Sequence, residues 1–185
     1  MQSRSLSVYI NQTLWLSIAA ILFFAAVIAI AARVTIFLPF TPIPITLTLL
    51  AVVLAGLVLG SRAGALAVLT YLGMMAVGLP VDASGIGAAA FFGPTAGYLI
   101  GYLPAAFVVG WLAERFSIHN WWGNFVAALA GVAIIYLFGA VWLGVMLGSA
   151  QKAWALGVVP FILVDLIKSA VAAGVAESGK MLLRR

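Results

Sequence analysis

The stretch FILVDLIKSAVAAG, from Phe161 to Gly174, sets an aspartate and a lysine three residues apart in an otherwise apolar run. Positions three apart share one face of a helix, so Asp165 and Lys168 project together. In a soluble protein such a pair is ordinary. At the centre of a membrane helix each ionised group costs roughly 3 kcal/mol. The rest of the chain decides between these settings. Of its 185 residues, 66% are hydrophobic and 7% charged, whereas soluble proteins are about one-quarter charged. The fold class read from this is an all-α integral membrane protein.

Punctuation outside that stretch divides the chain into six apolar segments, at about 14–35, 46–59, 63–77, 95–113, 125–147 and 154–175. They are read as six transmembrane helices of one domain spanning 1–185. The run from Leu14 is too long for a signal-peptide core, so it is expected to stay as a membrane helix. The second and third segments are short for a span of about 20 residues, which suggests tilt, extension at their ends or partial re-entry. Between the first two segments lies FLPFTPIPIT, whose Pro39, Pro42 and Pro44 favour an extended connection. Arg4, Arg62, Arg115, Lys180, Arg184 and Arg185 fall at one set of segment ends, with Arg33 and Lys152 at the other. By the positive-inside rule both termini are expected in the cytoplasm, in a cell membrane. The net charge of +5 is then a topology signal, and no nucleic acid is expected as a partner. There is no cysteine and one histidine, His119, which removes thiolate chemistry and leaves no metal cluster to propose.

The charged pair has two readings. As a self-satisfying ion pair, two charges 4 Å apart at an effective dielectric near 20 attract by about 4 kcal/mol. That offsets the insertion cost of one charge and not both. Intramembrane ionisable residues usually mark a site or pathway, so a functional pair is favoured. The carboxylate accepts N–H groups and the ammonium donates to a carbonyl; a neutral urea-like ring uses both. A proton relay competes, but it needs further ionisable groups at that depth. The other acids, Asp82, Glu114 and Glu177, lie at segment ends.

Other motifs are weaker. GVAESGKM at Gly174 to Met181 nearly matches a phosphate loop, but Met181 lacks the hydroxyl and no βαβ unit precedes it. It is read as the frayed end of the last helix, so ATP use requires a partner. Gly93, Gly97 and Gly101, like Gly56, Gly60 and Gly64, repeat every four residues and suit close helix packing. Ala25, Ala29 and Ala32 form a small-residue stripe, read either as internal packing or as a docking face. Trp111, Trp121, Trp122 and Trp154 are read as interfacial belt residues. The segment Gly78 to Pro94 is read as a lid: its glycines let backbone approach a ligand, and Phe91 and Phe92 are placed to cover an apolar body. No nucleophile–base pair or paired catalytic carboxylates can be placed, so no enzyme activity is expected.

Taken in order, FTPIPITLTLLAVVLAGLVLGSRAGALAVLTYL, GLPV at Gly78, FFGPTAGYLIGY at Phe91 and DLIKSAVAA at Asp165 resemble the BioY family. This is the biotin-specific substrate-binding (S) component of energy-coupling-factor (ECF) transporters. The resemblance runs from about Ala25 to Ala173. It implies six membrane helices that capture biotin from outside, no cofactor, and release by reorientation in the membrane. It implies as partners a membrane scaffold subunit and two cytoplasmic ATPases. It assigns Asp165 and Lys168 to the bicyclic head of biotin, with Tyr98, Ser84, Thr48 and Phe92 as further substrate-binding candidates. It assigns Ala25 and Ala29, with Ala32 following, to docking on the partner. The carboxylate tail is left among Tyr98, Thr95, loop N–H groups and Arg33. Thr48 stands where members often carry glutamine, and Ala83 and Ser84 where many carry Asn or Gly. A hydroxyl there would reach a ligand through water. The alternatives are an autonomous proton- or ion-coupled transporter and an S component for another vitamin.

Overall fold

The computed structural model describes residues 3–115 and 120–183. His119, Arg184 and Arg185 lie outside these, as do the side chains of Arg4 and Lys180. The regular structure of the described residues is all-helical but for one hairpin with strands of two residues each. Helix α1 (Ser3–Arg33) runs into β1 (Thr35–Ile36), which pairs antiparallel with β2 (Ile45–Thr46), Thr35 opposite Thr46. The prolines between them lack N–H donors, so this segment folds back as an extended hairpin rather than a helix. Its tip is fastened across the bundle, where the Thr41 hydroxyl donates to the Leu156 carbonyl at 2.6 Å.

Helix α2 (Thr48–Ala76) corresponds to the two short segments expected at 46–59 and 63–77. It is broken at Gly60, whose φ is +83°. In a straight helix residues 56 and 64 would lie about 12 Å apart. Here a Cβ on Gly64 would meet the Gly56 Cα at 2.9 Å. The chain therefore doubles back at Gly60, and the two limbs lie against each other. Glu114 secures the reversal: its carboxylate accepts the Ser61 N–H at 2.7 Å and the Ser61 hydroxyl at 2.8 Å. Among the described residues, five helical stretches are long and apolar enough to cross a membrane, with α2 counted as one. The difference from the six expected segments lies at this reversal.

Helix α3 (Ala96–Arg115) and helix α4 (Trp121–Leu147) follow. Asn120 caps α4 by accepting the Gly123 N–H, and Gly148 ends it in the left-handed region at φ +62°. The expected segment 154–175 is divided. Helix α5 (Ala150–Gly157), capped by Ser149, leads through a 3-10 turn containing Pro160 to helix α6 (Ile162–Leu183). The GVAESGKM stretch lies inside α6. The expected Gly-x3-Gly contacts are present at Gly97 and Gly101, which face Gly139 and Ile135 of α4, and at Gly56, which faces Ala106 and Val109 of α3. Trp121, read as a belt residue, donates to the Ala170 carbonyl at 3.2 Å and braces α4 on α6.

The bundle has two distinct ends. Arg33, at the close of α1, lies beside Asp82, and α6 begins at that same end. Arg62, Glu114 and Arg115 gather at the other end, around the Gly60 reversal, toward which α1 starts and α6 finishes.

Candidate functional site

Asp165 lies in the first turn of α6, only three residues into the helix. That is about 5 Å along it, shallower than a helix counted from Pro160 would place it. Asp165 and Lys168 are both buried, and the Lys168 ammonium donates to Asp165 Oδ1 at 2.8 Å. The second oxygen, Oδ2, accepts the Tyr136 hydroxyl of α4 at 2.7 Å. The Ser169 hydroxyl turns back to the Asp165 backbone carbonyl. The carboxylate therefore has one charged and one neutral donor. Lys168 has three N–H donors, of which one goes to Asp165.

This cluster faces a cavity walled by α2, α3, α4 and α6. Asp165, Lys168, Tyr98, Thr48 and Ser84 all line it, so five of the six substrate-binding candidates are brought together. Tyr98 is already committed on its donor side: its hydroxyl donates to the Gly157 carbonyl at 2.8 Å. Thr48 shares a hydrogen bond with Thr46 at 2.9 Å. Phe92 is not brought in. It stands 81% exposed at the end of the 3-10 helix Gly87–Phe92, outside the lining, while Phe91 is half-buried against the core. The 3-10 period turns the two phenylalanines to different sides. Thr95 lines the cavity and Arg33 does not.

Residues 82–86 of the expected lid roof the cavity. Asp82, 3% exposed, accepts the Ser84 and Gly87 N–H groups, and Ile86 closes beside it. From the opposite side the Pro42–Ile43–Pro44 segment forms a second wall. Three aromatic liners escaped the sequence reading: Tyr136, Tyr102 and Tyr71. Each is a phenol within an apolar helix, and that was the available signal.

The stripe assigned to docking falls elsewhere. Ala25, Ala29 and Ala32 are 1%, 8% and 1% exposed, turned inward on a helix that packs chiefly on α2. Leu22, Phe23 and Ile30 occupy the outward face instead. Side chains covered by a neighbouring helix present little surface of their own, so the stripe is placed in a helix seam. Internal packing, the other reading of the stripe, fits their burial.

Comparison with known proteins agrees with this fold. The BioY family model matches residues 3–185. The biotin transporter BioY of Rhizobium etli is 42% identical over 160 residues, covering 82% of this chain and 86% of that protein. The biotin transporter BioY of Thermotoga maritima is 42% identical over 154 residues, covering 83% and 89%. Among solved structures, the S-component for biotin from an ECF-type ABC transporter is similar with a TM-score of 0.85 at 30% identity, covering 92% of this chain and 93% of that one. Fold, family model and relatives agree over nearly the whole length, and the chain belongs to the BioY family.

Proposed function

We propose that this chain is a biotin-binding S component that takes up biotin together with an ECF module. The observation that carries the reading is the buried Asp165–Lys168–Tyr136 cluster facing a roofed cavity. Biotin's ureido ring has two N–H donors and one carbonyl. Asp165 accepts an N–H, and Lys168 uses a remaining donor on the ureido oxygen while neutralising Asp165. The rings and tail bury against Phe161, Leu49 and Ile135, which line the same cavity. Neither charge is left bare in the complex. Biotin has about 16 non-hydrogen atoms, and nanomolar binding requires about 12 kcal/mol. The resulting share, about 0.8 kcal/mol per atom, lies below the ceiling for small ligands.

In this reading the cavity end faces outward and both termini are cytoplasmic. The cluster of Arg62 and Arg115 at the opposite end supports that orientation. Counting the two limbs of α2 separately, six helices cross the membrane. The GVAESGKM stretch lacks the hydroxyl and the βαβ setting of a phosphate loop, and in this reading energy comes from a scaffold subunit and two ATPases, and release follows reorientation.

The test is a thermal-shift series on the purified protein. A ligand held only by the folded form stabilises it by about 2.7 kcal/mol at a hundredfold excess over Kd. Biotin should raise the melting temperature where thiamine, riboflavin and folate do not. Asp165→Ala should insert normally yet lose the biotin shift. An Asp165→Ala protein that binds biotin like the parent would overturn the assignment. Uptake by the chain alone in proteoliposomes, driven by a pH gradient, would favour a proton-coupled carrier instead.

A further inference from the structure

The segment between Gly78 and Gly87 closes on itself. A Cβ on Gly87, at φ +60°, would lie 2.9 Å from the Gly78 carbonyl oxygen, so the two ends meet. Inside, Asp82 accepts the Ser84 N–H at 3.0 Å and the Gly87 N–H at 2.7 Å. A loop with joined ends and internally satisfied donors is a compact unit. Asp82, Ser84 and Ile86 put this unit over the cavity.

Arg33 reaches this unit from outside it. From the last residue of α1, its Nη1 donates to the Asp82 carbonyl oxygen at 3.1 Å. The guanidinium lies over Gly85, where a Cβ would come 2.7 Å from Nη1, on a backbone at φ +71°. Glycine at 85 is thus suited both to the turn and to the approach of the arginine. Arg33 is absent from the cavity lining, so its contact is with the roof.

We propose that Arg33 is a positioning residue that latches the 79–86 loop over the cavity and so sets how long a bound ligand stays. The inference rests on the biotin-binding reading for its ligand, but not for its geometry. The guanidinium's bond to a carbonyl is charge-assisted and stronger than a neutral one.

The experiment measures association and dissociation of labelled biotin, and of neutral-tailed biotin amide, on the purified parent, Arg33→Ala and Arg33→Lys. Arg33→Ala should speed dissociation about tenfold, the scale of one lost charged hydrogen bond. Association should hold within about twofold, and biotin amide should show the same factor. Arg33→Lys, which keeps a charged donor, should recover most of the residence time. Unchanged dissociation in Arg33→Ala overturns the latch. So does a loss confined to ligands with a free carboxylate, which would make Arg33 a ligand contact, or slowed association that salt abolishes, which would make it a steering charge. Hydrogen exchange on the ligand-free proteins provides an independent arm. Amides at 79–87 should exchange faster in Arg33→Ala while α4 stays protected, and equal exchange at 79–87 refutes the latch whatever the ligand. A parent that binds no biotin but shows this exchange difference rejects the functional reading and leaves the latch standing.

Discussion

Asp165 accepts on both oxygens, from an ammonium on its own helix and from a phenol on α4. Removing either donor has a different consequence. Lys168→Ala strands a buried carboxylate, which costs about 3–5 kcal/mol. It should abolish biotin binding and lower the melting temperature as well, and a variant that kept its parent's melting point would show that Asp165 has another counter-charge. Tyr136→Phe removes only the neutral donor to a charged acceptor, worth about 1.5–3 kcal/mol. Biotin affinity should fall by one to two orders of magnitude, readable by calorimetry. Undiminished affinity would mark the phenol as packing. The spacing of Asp165 and Lys168 was enough to pair them, because a helix brings i and i+3 together whatever surrounds it. Tyr136 lies 29 residues away, and only the crossing of α4 over α6 makes it a partner.

At the scale of elements, α2 turns on one residue. Gly60 holds φ +83°, and a Cβ there would run into Glu114 Oε1. Gly60→Ala should destabilise the protein by about 1–3 kcal/mol, seen as a lower melting temperature in detergent. Recovery of stability in Gly60→Ala combined with Glu114→Ala would assign the cost to the clash; no recovery would assign it to the backbone. The glycine triplet 56, 60 and 64 was visible as small residues suited to close packing. Its geometry was not, because a left-handed φ is a property of the fold-back and leaves no periodicity to read. The break between α5 and α6 was hidden similarly. Pro160 suits a first helical turn as well as a 3-10 turn, and the hydrophobic run continues through both.

For the whole molecule, the placement of α1 decides what its alanine stripe does. Ala29→Leu introduces extra methylenes into a closed seam, which typically costs 1–3 kcal/mol. Melting temperature and biotin binding should both drop, and uptake in whole cells should drop with them. Intact melting and binding with uptake lost would assign the stripe to docking. The membrane class, the approximate helical segments and the charged pair were all readable in the chain, since hydropathy, proline punctuation and helical spacing are local properties that any packing must respect. What only the tertiary structure decided is which groups meet across the bundle: Tyr136 on Asp165, Arg33 on the loop 49 residues away, and Thr41 on a carbonyl 115 residues away. It also decided that the alanines of α1 face inward and that Phe92 faces out. The physical reason is that an apolar helix is hydrophobic all round, so its sequence does not distinguish the side that meets lipid from the side that meets protein.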